Sequence, residues 1–431
     1  MILNYLKKNL TVNFFLIVFV LLVGVILRIE FSKTGYNFDM ESWDVVRYKV
    51  TLDQSVYTGT NRYNYGPVWS YTIYLLNLIF IPVSTQDFHL VLAWFMVFVD
   101  ISIFFLLLKI FNLNVSTIYF LSTPAVLISG FHIQIDNFSI LFALIFQYFF
   151  YKSLDVDYKI KNSKLYIVSM LFLGISLSIK HIFIFYPIVL SLIFLNYRIN
   201  FYNIKLNISK ILPLVIPYLV FILSFVIDIV FRSSDWGNIL KGINDNVLNY
   251  KSFIGNSFIF QFLKLISDHT QLMSSSTINF LISNGTVLFI ILVFIAFFLN
   301  REKINIKNSL YYYLLVFYCF SPSLADQYLV IPLIPVIVLS TNFFSLLYLI
   351  SSGLYLSLLS KNNINFYYEM FPNFQHLAQK FYYFPQIVSF GYLLNLSLSR
   401  NSHKLNNIYL YLILLTIVIF NLFLFYIIGA N

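Results

Sequence analysis

NFLISNGTVLFIILVFIAFFL, residues 279–299, carries no charged side chain and shows no alternation of apolar and polar positions. A lipid-facing β-strand needs that alternation, so this run reads as a helix, apolar on every side. Similar runs of about 15 to 22 residues, split by short polar joints, recur along the 431 residues. A helix that crosses a bilayer needs roughly 20 mostly apolar residues, and only helices and closed barrels satisfy the backbone in lipid. With 60% apolar and 10% charged residues, the chain is expected to be an all-α, polytopic transmembrane bundle. An ordinary soluble domain is excluded.

The first run, LTVNFFLIVFVLLVGVIL (10–27), lacks a small-residue cleavage site and is read as a retained anchor. Basic residues in short loops stay cytoplasmic, so Lys7 and Lys8 place the N-terminus inside. The later spans are expected at 88–109, 115–129, 138–152, 165–180, 182–197, 211–231, 279–299, 309–321, 328–340, 342–358, 383–399 and 408–428. That makes about 13 spans, within a range of 12 to 14. Segment 67–83 is assigned as an interfacial or re-entrant helix, because a span there would invert every later basic loop. Fifteen Lys/Arg then lie on the cytoplasmic side, with only Asp155, Asp157 and Glu302 among the acids. The outer side takes twelve residues of each sign. The whole chain reads as one transmembrane domain, 1–431, with large extracytoplasmic loops at 30–87 and 232–278 and a smaller one at 359–382.

The net charge of +10 does not mark a nucleic-acid binder, because the basic residues sit at helix ends and form no patch interleaved with aromatics. The single Cys319 lies in an apolar run, so disulfides play no part. Asp100 and Asp228 fall within spans without a visible partner and are read as helix-packing contacts.

Four polar clusters fall on the outer face. NFDMESWD (37–44) offers Asp39, Glu41 and Asp44, which suit a general base or, as a solvated turn, partners for Arg47 and Arg62. It leads to YNYGPVWSYTIYLL, whose Pro67 suits a first helical turn. SGFHIQIDNFSI (129–140) alternates His132, Gln134 and Asp136, which an extended segment would point one way; a plain helix start at Asp136 or Asn137 is the alternative. LSIKHIFIFYPIVL (177–190) sets Lys180 and His181 in an apolar stretch. A charge at membrane depth costs roughly 2.5–3.5 kcal/mol and usually lines a cavity, although a snorkelling lysine in an ordinary turn has the same signature. FSPSLADQYLVIPLIP (320–335) carries Asp326 and Gln327 in a tight turn. His132, Gln134 and Asp136 are too mixed and too closely spaced for a metal site.

Taken in order over residues 1–335, these elements resemble the GT-C glycosyltransferases. The nearest likeness is to dolichyl-phosphate-glucose glucosyltransferases and bacterial polyprenyl-phosphate-mannose mannosyltransferases. The late turn has Ala325-Asp326 where the eukaryotic enzymes carry His-Glu, and Asp39-Met40-Glu41 replaces a tandem acidic pair. The resemblance implies a GT-C helical bundle with interfacial helices in the first outer loop. It implies inverting transfer of a hexose from a polyprenyl-phosphate donor to a glycan or glycolipid hydroxyl, extracytoplasmically and without a cofactor or metal. Asp39 would be the base, and Lys180 with His181 would stabilise the leaving phosphate. Gln134, Asp136 and Asp326 would bind sugar hydroxyls, with Glu41, Asp44, Arg62, His132 and Gln327 as further substrate contacts. The partners would be the donor lipid, the acceptor and membrane lipids, in the plasma membrane, with no nucleic acid. A lipid-linked polysaccharide polymerase or ligase, and a flippase, are the rival classes. A flippase usually shows internal repeats and broken helices near the midplane.

Overall fold

The structure, a computed structural model, describes residues 12–35, 38–58, 63–155, 160–196, 212–232, 236–248, 257–270, 274–300, 303–323, 325–359, 382–398 and 407–430. Among these residues there are nineteen α-helices and no β-strand, as the unbroken apolar runs require. Helix α1 (Val12–Thr34) prolongs the first apolar run past Leu27 and takes in Arg28, Glu30 and Lys33. Helix α2 (Phe38–Thr51) replaces the turn expected at NFDMESWD: Met40, Trp43, Val46 and Val50 are buried at helical spacing while Glu41 faces outward. Helix α3 (Pro67–Phe80) has Pro at its start and ends at Ile81, which takes a left-handed φ of 45°. Fourteen residues reach about 21 Å, less than a hydrocarbon core of roughly 30 Å.

Helix α4 (Thr85–Ile110) opens with a capping box between Ser84 and Asp87. Helices α5 (Leu113–Leu121) and α6 (Thr123–Gly130) divide the run expected at 115–129 and meet at 51°, where Ser122 is extended and Pro124 starts the second helix. Helices α7 (Asp136–Ser153) and α8 (Ser163–Ile179) form the most extensive hairpin, and α10 (Ile216–Arg232) packs on α8 beyond α9 (Tyr186–Asn196). Within 232–278 lie α11 (Trp236–Ile243) and α12 (Phe258–Thr270). The opening stretch, 279–299, is itself broken. Helix α13 (Ser275–Ser283) and helix α14 (Gly285–Leu299) meet at 75° across Asn284. Ser283 and Asn284 both donate to the Phe280 carbonyl at 2.8 Å, and side-chain bonding to a preceding turn bends helices.

Helices α15 (Ser309–Phe320), α16 (Leu333–Val338), α17 (Phe343–Leu359), α18 (Phe384–Leu398) and α19 (Asn407–Ala430) complete the chain. The last helix returns to pack against α1. By length and hydropathy, four helices can cross a membrane: Phe14–Thr34, Thr85–Ile110, Leu212–Arg232 and Asn407–Tyr426. The count is six when each bent pair is one span. These helices fit a multi-pass membrane protein. The other runs expected to span fold as shorter helices or, at 328–340, as a 3-10 turn (Asp326–Val330) followed by α16, split by Pro332 and Pro335.

Two intramembrane acids have partners after all. Asp228 lies 3.5 Å from Arg232, one turn along α10. Asp100 accepts from Arg28 Nε at 2.8 Å, Ser129 Oγ at 2.6 Å, Asn137 Nδ2 at 2.7 Å and the Tyr119 hydroxyl at 3.2 Å. Both members of the Arg28–Asp100 pair are fully buried, and the guanidinium also covers the Phe120 ring at 4.4 Å. Removing one partner of a buried ion pair strands the other and costs about 3–5 kcal/mol, whereas replacing both with apolar residues costs far less. Arg28→Met is therefore expected to destabilise by about 3–5 kcal/mol. Arg28→Met/Asp100→Leu should recover part of that loss, read as denaturation midpoints in detergent.

Candidate active site

The site is assembled where five segments meet: the first turn of α2, the Tyr65–Gly66 link before α3, the turn between α6 and α7, the end of α8 at Lys180, and the 3-10 turn at Asp326–Val330. Lys180 caps α8 in extended conformation and enters the short 3-10 turn His181–Phe183. Its ammonium, nearly buried, donates to Asp136 Oδ1 at 2.7 Å. It also stands over the rings of Tyr65, at 5.2 Å, and Tyr328, at 4.8 Å. A cation over a desolvated aromatic face gains about 2 kcal/mol, so the two rings hold the ammonium in place within a nearly dry position.

Tyr65 is the junction of the site. Its hydroxyl donates to Asp39 Oδ2 and accepts from Gln327 Nε2, both at 3.4 Å. Gly66 makes this approach feasible. Its N–H donates to the Ile179 carbonyl at 3.1 Å, and a Cβ there would overlap the carbonyl oxygen of Ser178. The link is thereby fixed directly against the end of α8 that carries Lys180. Trp43 supports Tyr65 from the buried face of α2, ring to ring at 5.1 Å.

Asp326 accepts from the Tyr355 hydroxyl at 2.6 Å. Burial pushes its carboxyl above the usual range, the Tyr355 bond pulls it back, and the charge of Asp39 raises it again. Asp136 is likewise raised, first by burial, with Lys180 opposing and Asp39 adding to the rise. The charge of Asp39 thus reaches both Asp136 and Asp326, while Lys180 opposes it at Asp136.

Other expected site residues fall elsewhere. Asp44 meets His89 Nε2 at 3.0 Å and ties α2 to α4; Arg47 lies over the Phe88 ring at 4.9 Å. Glu41 is exposed on α2, and Arg62 lies outside the described residues. The segment holding His132, Gln134 and Asp136 is not extended, because Ile133 takes φ 49°. A left-handed β-branched residue breaks the alternation, so the three side chains do not share a face. Gln134 turns back to donate to the His132 carbonyl at 3.5 Å. Burial lowers both His132 and His181 to about 4, with Lys180 adding to the effect on His181. Both are therefore neutral at pH 7, and Lys180 supplies the positive charge without help from His181.

The sequence reading missed Tyr65, Tyr328 and Tyr355. The only signal for Tyr65 was its place beside Gly66-Pro67, and the chain's 33 tyrosines hide the other two.

Gly66→Ala is expected to separate Tyr65 from Lys180 and lower stability by more than 1 kcal/mol, of the order seen for backbone-incompatible substitutions, measured by thermal unfolding in detergent. His132 binds its proton near 6.5 when unfolded and near 4 when folded, so the unfolded chain holds more protons between those values. Its contribution to stability is therefore lost as pH falls through that window. His132→Leu should reduce the drop in melting temperature between pH 7 and pH 5. In comparison with known proteins, no family model matches the chain and no curated protein is a significant match.

Proposed function

We propose that this chain is a membrane glycosyltransferase that moves a hexose from a polyprenyl-monophosphate donor to an acceptor hydroxyl, on the extracytoplasmic face, with inversion. The observation that carries the reading is the gathering of Asp39, Asp136, Lys180, Asp326 and Gln327 around Tyr65 and Tyr328, from segments up to almost three hundred residues apart. In this reading Asp39, half-buried and reachable, takes the acceptor proton as the acceptor oxygen attacks the anomeric carbon. The bond from that carbon to the phosphate oxygen breaks, and its electron pair leaves with the polyprenyl phosphate. Lys180 neutralises the charge that develops there, an electrostatic role that strengthens in a site shielded from water.

The ion pair refines the roles of two residues. Asp136 holds the lysine in place and is a positioning residue, not a sugar ligand. Asp326 and Gln327 remain the candidates for sugar hydroxyls. A transport reading draws support from one feature, the two bent helix pairs at 113–130 and 276–299, since transporters bind substrate at broken helices.

Asp39→Asn is expected to reduce sugar transfer from a labelled polyprenyl-phosphate hexose by about 10²–10⁴-fold while leaving the melting temperature unchanged. Lys180→Met should cost about 10²–10³-fold, with Lys180→Arg retaining part. Full transfer by Asp39→Asn overturns the base assignment. Movement of an intact lipid-linked sugar across liposomes, with no release of polyprenyl phosphate by the wild type, favours the transporter.

A further inference from the structure

At the far end of α7 from the candidate site, two lysines from different helices converge on one tyrosine. Lys109, in the last turn of α4, stands 4.4 Å from the Tyr148 ring centroid. Lys152, in the last turn of α7, stands 4.7 Å from the same centroid. Both ammonium groups also interact with the Tyr148 hydroxyl. Both lysines are exposed and Tyr148 is half-buried. Among the described residues, neither lysine is paired with a carboxylate. Two like charges held over one small ring repel each other, and the ring's quadrupole offsets only part of that. An anion small enough to lie between them would relieve that repulsion.

The setting indicates which anion. Asp136 and Lys152 are separated by sixteen residues of one helix, or about 24 Å, which approaches the thickness of a hydrocarbon core. The exposed face of α4 runs through Trp94 (51% exposed), Phe98 (64%) and Phe105 (46%) and ends at Lys109. These positions follow one another at helical spacing, so a continuous apolar stripe leads to the lysine as acyl chains lead to a headgroup. Lysines at the end of a lipid-facing stripe sit at phosphate depth, and the short basic joint that follows α7 holds Lys161 and Lys164.

We propose that Lys109, Tyr148 and Lys152 form a binding site for the phosphate of an anionic phospholipid, in the leaflet opposite the candidate active site. The lysines neutralise the phosphodiester, the phenol donates to a free oxygen, and the acyl chains lie along Phe105 and Phe98. An anionic leaflet attracts basic residues held near its surface. Two converging lysines are therefore expected to favour an anionic over a zwitterionic lipid by at least tenfold.

The test is native mass spectrometry of the full chain released from detergent after exchange into phosphatidylglycerol or phosphatidylcholine. The wild type should retain phosphatidylglycerol at least tenfold better. Lys109→Gln/Lys152→Gln should abolish the preference, Lys109→Arg/Lys152→Arg should keep it, and Tyr148→Phe should weaken it. Both lysines are exposed, so the Gln variants are expected to fold as the wild type does, checked by melting temperature. Equal retention of the two lipids by the wild type overturns the site, as does an undiminished preference in the double Gln variant. If millimolar inorganic phosphate displaces phosphatidylglycerol completely, the occupant is free phosphate and the lipid assignment fails. None of these readouts depends on sugar transfer.

Discussion

The carboxylate of Asp100 collects hydrogen bonds from Arg28, Tyr119, Ser129 and Asn137, which belong to α1, α5, α6 and α7. A charge taken out of water is tolerated only when its neighbours replace the lost hydration. Here no single neighbour suffices, so five helices must come together before the cost is offset. The hub therefore does more than join helices. Ser129 and Asn137 lie on either side of the turn that carries His132 and Asp136, and they are anchored to the two oxygens of one carboxylate, Ser129 to Oδ2 and Asn137 to Oδ1. The turn is held at its two ends while Ile133 takes up the strain between them.

The candidate site depends on this clamp. Asp136 begins α7 immediately before Asn137, so its distance to Lys180 is set by the hub on one side and by the α7–α8 hairpin on the other. Gly66 fixes the third wall by bonding its backbone to Ile179, one residue before Lys180. Tyr65 then has little choice of position, and it presents its hydroxyl to Asp39 and Gln327 together. The ammonium, the base candidate and the late turn are thus placed by backbone contacts and buried polar bonds. Groups placed in this way need no reorganisation before they act on a ligand.

Much of this was legible in the sequence. Helical character followed from runs such as 279–299, and the residues flanking spans, Asp39, Asp136, Lys180 and Asp326, do converge. The rest was hidden for specific physical reasons. Arg28 and Asp100 are 72 residues apart, and nothing local in either run announces a partner. NFDMESWD looked like a turn because eight residues are too few to reveal the burial of Met40, Trp43, Val46 and Val50, which runs beyond them. The bend at Asn284 arises from side chains bonding the preceding turn, a competition that hydropathy does not register. The expected alternation of His132, Gln134 and Asp136 failed at one backbone angle, Ile133, which no residue pattern forecasts.

The Arg28–Asp100 pair also bears on how the chain is made. Arg28 emerges from the ribosome with the first helix, whereas its partner follows 72 residues later. At roughly 5–20 residues per second the wait is about 4–14 s. During that interval the guanidinium lacks its carboxylate, a cost that is smaller near a helix end, where Arg28 lies, than at a helix centre. Until α4 is synthesised, the first helix lacks the carboxylate that pairs its arginine in the finished structure. Synthesis order, not only final packing, is written into the placement of one arginine.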